Sequence, residues 1–485
     1  METINHTPFP AQVFESIDQH GQVSYVATLR QTFALVAGEL VFSDHQLPLA
    51  EGISHFQERV SGSVRQESDY CPFKPHCDVL INATAHAPRS AELQRFVVRL
   101  RVTRPGIARS LPERPRGLSP HMSPDPAVLA VWRQEVNRLN SHPDPLEILI
   151  DKTLAITGRR HFIKKPRWVR LLHAVVWIAA LSTIRFNPWR LSRPTPLRSL
   201  PLLHEYAYGG ECRMNAGTRA TPSLPARYHL TAAQVAAHPD ASSDQAPLAH
   251  CVDENNPYGT GFATHWYVRA MRLQQVLAPQ IEATSQQMSA LQFWKMQHSY
   301  ELNPLDRTNW SDPIGLVARP NTHPTRRALA GTMDDAFING TAALPTDFSE
   351  AYWNCAPRDQ QIPYLRGDER VELTNLCSPD TPGAIIDAHG NTVLHFTLPK
   401  QSTFLLLRQY DGVLATMNLQ ADTVIVEPEQ GIVALVWRVR WPKTSTSTLR
   451  VCEFRARIGT NRASSVASSD AQDSSLSTMQ HPANA

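Results

Sequence analysis

Few stretches of this sequence combine residue types that could do chemistry. Cys71-Pro-Phe-Lys74-Pro-His76-Cys77 offers two thiols and an imidazole, the ligands that zinc takes. Structural zinc wants four ligands in paired short spacings, and no second pair lies nearby, so the stretch reads as buried thiols. His204-Glu205 opens like the HExxH metalloprotease motif, but Tyr208 stands where the second histidine belongs. No metal and no cofactor is therefore expected. A GxSxG elbow and a Walker phosphate loop are both missing, and Gly259-Thr-Gly261 reads as a turn. Asp334-Asp335 and Asp368-Glu369 are adjacent acids. An acid/base pair needs a cleft and a separation that adjacency alone does not supply.

What remains is a recurrence of Asp, Arg and Lys beside turns. Asp69, Lys74 and Asp78 form one group; Arg326, Asp334, Asp347, Arg358, Asp359 and Arg366 form another. The second lies in an irregular stretch, Arg319 to Leu376, rich in proline and carrying Tyr352, Trp353 and Tyr364. Two accounts compete. Asp caps turns and Arg pairs with carboxylates, which would fix long loops. Alternatively the polar loops form a recognition surface or pocket with aromatic anchors. A pocket would bring Asp69, Asp78, Arg326, Asp334 and Arg366 around one cleft; a scaffold would bury them as mutual ion pairs.

The elements that must position these residues are mostly strands. Among 485 residues, 38 prolines against 21 glycines favour a β-rich, loop-rich protein, since proline is excluded from helix interiors. VSYVATLRQTFALVAGELVF from Val23 reads as two strands turning at Gly38, Val79–Ile81 as a strand, and FVVRLRV (96–102) alternates cleanly. LEILIDKTLAITG returns to strand, as does GDERVELTNL from Gly367. VLHFTL, TFLLLR, DTVIVE, IVALVWRVRW and LRVCEFRA are five β runs between Val393 and Arg455. The expectation is a mainly β fold, an antiparallel sandwich or barrel-like set of meanders with a few inserted α-helices; α+β is the alternative.

The organisation reads as a loose lead-in (1–20), a β-rich domain (21–456) and a Ser-rich disordered tail (457–485). Insertions are expected at about 103–145, 162–189 and 263–311. The first carries an amphipathic helix with Val128, Leu129, Trp132, Val136 and Leu139 at helical spacing. The third reads as the longest helical stretch, broken at Pro279. Leu171–Ile184 is apolar but too short for a span of about 20 residues, so it reads as a docked helix with a basic lead-in. A net charge of +3 does not argue for nucleic acid. Seven irregularly spaced cysteines and no signal-like N-terminus point to reduced thiols in a cytoplasm.

Six blocks in order carry a resemblance. They are Glu67–Pro88 (ESDYCPFKPHCDVLINATAHAP), Leu200–Gly210, Asn256–Phe262 (NPYGTGF), Arg326–Phe337, Leu344–Leu376 and Asp422–Pro442. With them the chain resembles the bacterial domain of unknown function 2169, associated with type VI secretion, from about Val23 to Pro442. Met333 and Phe337 depart from the aromatic and the tryptophan usual in that family. The resemblance implies a non-enzymatic adaptor or chaperone in the cytoplasm. Such a protein would bring an effector, often with a PAAR-like module, to the VgrG spike. It carries over no catalytic residue. The alternative from the residues alone is a β-rich enzyme or glycan-binding protein with an Asp/Arg-lined pocket.

Overall fold

The computed structural model describes residues 1–56, 62–106, 125–140, 146–166, 187–213, 229–236, 242–245, 249–251, 258–302, 314–321, 323–332, 344–443 and 449–457, with positions 112, 115, 168, 226 and 256 besides. The tail beyond 457 and the apolar run Leu171–Ile184 lie outside them.

The fold is mainly β, built from several largely antiparallel sheets with few helices. A central sheet orders its strands Ala11–Ile17, Val23–Val36, Ile432–Pro442, Gln420–Glu427, Cys77–Ile81 and Gln361–Ile362. Only the pairing of Gln420–Glu427 with Cys77–Ile81 is parallel. Gly431, at φ 64°, closes the hairpin between Gln420–Glu427 and Ile432–Pro442 in the left-handed region open to glycine. A facing sheet runs Ile281–Ala283, Leu146–Thr157, Arg95–Pro105, Arg370–Thr374, Thr392–Thr397 and Ile385–Ile386, all antiparallel. A third sheet joins Glu2–Asn5, Leu449–Arg457, Ser402–Gln409 and Leu414–Asn418.

Period-2 patterning explains why these sheets close on one another. In Arg95–Pro105, Phe96, Val98, Leu100 and Val102 point inward while Arg95 and Val97 stay exposed. One apolar core takes Leu29, Val79, Val424 and Leu435 from the central sheet, Leu100, Leu154, Leu373 and Phe396 from the facing sheet, and Leu405 and Phe454 from the third. The five C-terminal runs are all strands, but they are not one meander. They divide among the three sheets. Residues 1–20 are not a loose lead-in: Phe9 is 1% exposed, and Glu2–Asn5 and Ala11–Ile17 are both paired strands.

The helix expected within the first insertion is present as Pro126–Asn140. The long helical stretch expected from residue 266 onward is corrected. Helix His265–Ala270 ends at once, strands Gln275–Leu277 and Ile281–Ala283 follow, and a second helix occupies Ala290–Leu302. Pairing overrides the helical pattern here: Glu282 sits opposite Ala155 in the facing sheet and takes a salt bridge from Arg160 at 2.5 Å. The second helix starts with a reciprocal cap. The Gln292 N–H donates to the Ser289 hydroxyl (3.2 Å), and the Ser289 N–H donates to the Gln292 side chain (2.8 Å).

These elements form a satellite core of Phe162, Trp189, Tyr267, Val268, Met271, Val276 and Phe293. Phe162 and Phe293 stack at 4.1 Å between ring centroids, with Trp189 edge-on to Phe293 at 5.1 Å. Phe293→Ala should remove about 3–5 kcal/mol of local packing. Hydrogen exchange should then speed in strands His161–Lys164 and Gln275–Leu277 and stay slow in Val23–Val36. Equal loosening of both regions would show that the two cores unfold together.

Candidate functional site

The two faces of the central sheet differ. Val79 and Ile81 face the main core, whereas Asp78 and Leu80 face the other way, with Ile425 and Ala434 beside Leu80. On that second face four neighbouring strands each contribute charge or hydroxyl groups. These are Arg30 from Val23–Val36, Arg438 from Ile432–Pro442, Asp422 and Thr423 from Gln420–Glu427, and Asp78 from Cys77–Ile81. A β-bulge between Ala421 and Thr423 inserts Asp422 into the ladder. Bulges re-aim side chains, and here consecutive residues 422 and 423 can bond each other at 3.0 Å.

The result is one connected buried chain. Arg30 donates to the Asp69 carboxylate at 3.0 Å, and the Ala50 N–H reaches the same oxygen at 2.8 Å. Arg438 donates to the Asp69 carbonyl at 2.9 Å and pairs with Asp422. Asp422 accepts from Thr423, whose hydroxyl accepts from Lys74 Nζ at 2.8 Å. Lys74 pairs with Asp78 at 2.9 Å. Asp78, with no exposed surface, also accepts from Asn354 Nδ2 and the Cys355 N–H, both at 2.9 Å, and from the Ala356 N–H at 3.2 Å. Burial pushes the Asp78 carboxyl up, but the Lys74 charge and these hydrogen bonds outweigh it and hold it below the usual carboxylate range.

Two arginines tie the covering loops to one another. Arg319 donates to the carbonyls of Ala356 (3.0 Å) and Asn354 (3.2 Å) and to the Thr325 hydroxyl (3.1 Å). Arg326, 1% exposed, forks onto the Glu67 carboxylate and donates to the carbonyls of Arg319 (2.7 Å) and Tyr352 (3.0 Å). Its guanidinium lies 5.1 Å from the Tyr352 ring centroid. Tyr352 and Trp353 form a half-buried trio with Phe348 at 5.4–5.7 Å between centroids, so they pack on one another. Tyr364 donates its hydroxyl to the Lys74 carbonyl.

Of the residues singled out in the sequence, Asp69, Lys74, Asp78 and Arg326 are brought together, buried and paired. Tyr352 and Trp353 flank them. Asp347 is exposed and caps the loop at Thr332, accepting its N–H at 2.9 Å and its hydroxyl at 2.9 Å. Arg358 and Asp359 are exposed at the facing-sheet edge, where Lys152 pairs with Asp359 at 2.8 Å. Arg366 is exposed, and its N–H donates to Glu369 at 2.7 Å. Asp334 lies outside the described residues. Of the residues set out as a cleft, the four described do not converge on one: Asp69, Asp78 and Arg326 are buried in separate ion pairs and Arg366 is exposed. The sequence reading passed over Glu67, Arg30, Asp422 and Arg438. The last three had a signal: each is a charge inside an otherwise apolar β run.

The other motifs resolve structurally. His204 is fully buried, its ring within hydrogen-bonding distance of the Ala318 carbonyl at 3.2 Å, and Glu205 accepts the Ser63 N–H at 2.8 Å. Gly209 and Gly259 pack back to back; a Cβ on Gly209 would fall 2.4 Å from the Gly259 Cα. Burial pushes the Cys71 thiol up to about 11 and the Cys77 and Cys355 thiols well above their ordinary value. Thiols so placed are poor nucleophiles at neutral pH. Among the described residues no three of His, Cys, Asp and Glu are grouped as metal ligands. A cavity of about 260 Å³ opens beside the chain of charges, lined by Phe73, Lys74, Tyr364, Asp422, Arg438 and Arg440.

The described residues form a mainly β scaffold whose loops are pinned to one sheet face by buried ion pairs. The chain matches the family described as an uncharacterized protein conserved in bacteria (DUF2169) over residues 20–112 and 131–438, and it belongs to that family. No curated protein and no solved structure matches it.

Two outcomes follow for this network. Arg326→Ala strands Glu67 and three loop contacts, and should cost about 3–5 kcal/mol; an unchanged melting temperature would contradict its role. Asp78→Asn strands the Lys74 cation and should cost a similar amount at pH 7. The Asp78 carboxyl is held below its ordinary value in the fold. Its contribution is therefore present above about pH 4 and lost as pH falls through the folded value. The gap between wild type and Asp78→Asn in urea melts should narrow as pH drops below about 4.

Proposed function

We propose that this protein is a non-enzymatic adaptor or chaperone. Its client would be an effector protein, PAAR-like or carrying a PAAR-like module, that it helps load on a VgrG spike in the bacterial cytoplasm. The observation that supports this reading is the fate of the polar residues. Asp69, Asp78 and Arg326, which a catalytic pocket would hold ready at a cleft, are each committed to a buried partner beneath the loops: Arg30, Lys74 and Glu67. Such a network rigidifies a surface without acting on a substrate. Membership of a family that resembles type VI secretion helpers supplies the kind of partner.

The surface agrees with protein recognition. Tyr410, Val413 and Leu414 are 73%, 51% and 57% exposed around one hairpin turn, and Val128 and Val131 stand out on helix Pro126–Asn140. Exposed apolar groups that cluster at one place mark interaction sites more often than single ones do. Among the described residues no helix is long and apolar enough to cross a membrane.

Co-expression with the effector or PAAR-like protein encoded beside it tests the reading. A stoichiometric complex is expected, with the client's soluble yield falling when this chain is left out. A folded chain that binds no neighbour would overturn the adaptor and direct work to ligands of the 260 Å³ cavity.

A further inference from the structure

The third sheet ends on an open strand. Leu414–Asn418 pairs with Ser402–Gln409 on one side and, among the described residues, has no strand on the other. Backbone direction alternates along a strand, and two hydrogen bonds fix the phase here. The Leu419 N–H donates to the Thr403 carbonyl, and the Gln409 N–H donates to the Val413 carbonyl. Val413, Ala415, Met417 and Leu419 therefore turn their backbone groups toward Ser402–Gln409. Leu414, Thr416 and Asn418 turn theirs outward. The side chains of these three share the solvent face, with Leu414 57% exposed, while Ala415 and Met417 pack on the core.

The other outer strands of the three large sheets are built differently. Glu2–Asn5, Ala11–Ile17, Glu39–Phe42 and Ile281–Ala283 each carry a glutamate, and Gln361–Ile362 and Ile385–Ile386 have only two residues. Charge and shortness are how sheet edges avoid pairing with one another. Leu414–Asn418 reads LATMN, five residues with no charge and no proline, and its ladder has no bulge. Its outward groups are also symmetric about Thr416, with one outward residue on either side. An antiparallel copy set on that centre places Thr416 opposite Thr416 and Leu414 opposite Asn418. Every outward N–H and C=O is then matched, in about six backbone hydrogen bonds. No like charges meet in this register, and threonine pairs are favourable across strands.

We propose that a second copy of this chain occupies the edge, paired strand to strand across a two-fold axis at Thr416. The third sheets of the two copies then form one continuous sheet. Directly opposed residues place their side chains on the same face, so Leu414 of each copy covers Asn418 of the other. Asn418 lines the cavity of about 260 Å³ beside the buried charges. Each copy thus sets a leucine at the rim of the other's cavity, and that exposed leucine gains cover. Two five-residue strands are short beside interfaces of about 1,200–2,000 Å², so the pair should dissociate in the micromolar range. The pairing goes beyond the adaptor reading and does not depend on it.

Sedimentation velocity and residue-resolved hydrogen exchange on the full chain, from about 1 to 100 μM, test it. A monomer–dimer equilibrium is expected within that range. At the high end the amides of Leu414, Thr416 and Asn418 should slow at least about threefold. Those of Ala415 and Met417, already bonded to the neighbouring strand, should stay unchanged. Thr416→Lys, at an exposed position, sets two like charges face to face on the axis and should weaken self-association at least about tenfold. If that variant does not fold, the wild-type exchange pattern decides. A monomer throughout the range, a dimer that Thr416→Lys leaves intact, or a dimer whose three outward amides exchange as in the monomer would overturn the pairing. Protection of those amides only in a complex with the co-expressed client would assign the edge to the client and overturn the second copy as well.

Discussion

The Lys74–Asp78 pair, sealed beneath loops on the outer face of the central sheet, is the constraint from which most of the structure follows. A lysine and an aspartate without water are expensive alone, and their attraction repays the loss only if every remaining lone pair and proton is met. Here each one recruits a separate segment. Asp78 takes N–H groups from Cys355 and Ala356 and the Asn354 amide; Lys74 takes the Thr423 hydroxyl. A loop from the 350s and a strand from the 420s are thereby fixed to a stretch in the 70s. The irregular segments described between Arg319 and Gln360 are held largely by buried side chains and turn hydrogen bonds, and from Gln361 the chain rejoins the sheets at Gln361–Ile362 and Arg370–Thr374.

Seen this way the two arginines are loop organisers. A guanidinium offers five donors in a rigid fork, enough to collect several carbonyls from loops that have no regular partner. Arg319 and Arg326 collect Ala356, Asn354, Tyr352 and, between themselves, the Arg319 carbonyl. A lysine at either site could not span that geometry. Apolar residues could fill the volume, but they would leave those carbonyls unpaired. The network therefore acts on which loop conformation is adopted as much as on total stability.

Much of the fold was legible in two ways: Arg95–Pro105 alternates buried and open residues, while Gln420–Glu427 and Ile432–Pro442, buried on both faces, read as near-continuous apolar β runs. Arg95–Pro105, Gln420–Glu427 and Ile432–Pro442 could be read almost to their ends. The failures have physical causes. From residue 266 to 302 helical spacing was real at both ends, but the middle is claimed by Ala155 and Ile156 across a sheet, and propensity yields to pairing. Phe9 and the first two strands were missed because short strands carry too few residues to show a period. At the site, residue type was informative and location was not. Asp69, Lys74, Asp78 and Arg326 look the same in sequence as Asp347, Arg358, Asp359 and Arg366, yet the first four are buried and the last four are at the surface. What separates them is whether a strand face or a second loop lies overhead, which is a long-range fact.

The same local device marks the central and the facing sheet. A bulge at Asp422 turns two consecutive polar groups into the buried chain; a bulge at Ile148–Ile150 shifts the register of the facing sheet, whose pairing resumes from Ile148 to Leu146. Bulges bend the strand that carries them and interrupt its pairing. On the central sheet the interruption is covered by loops and absorbed by Arg438 and Lys74. On the facing sheet the pairing with Arg95–Pro105 continues on both sides of the bulge, so the ladder is shifted rather than broken. A ladder can therefore take an extra residue and keep its partner, provided the covered face supplies groups to meet what the bulge turns inward, as Arg438 does for Asp422 and Lys74 for Thr423.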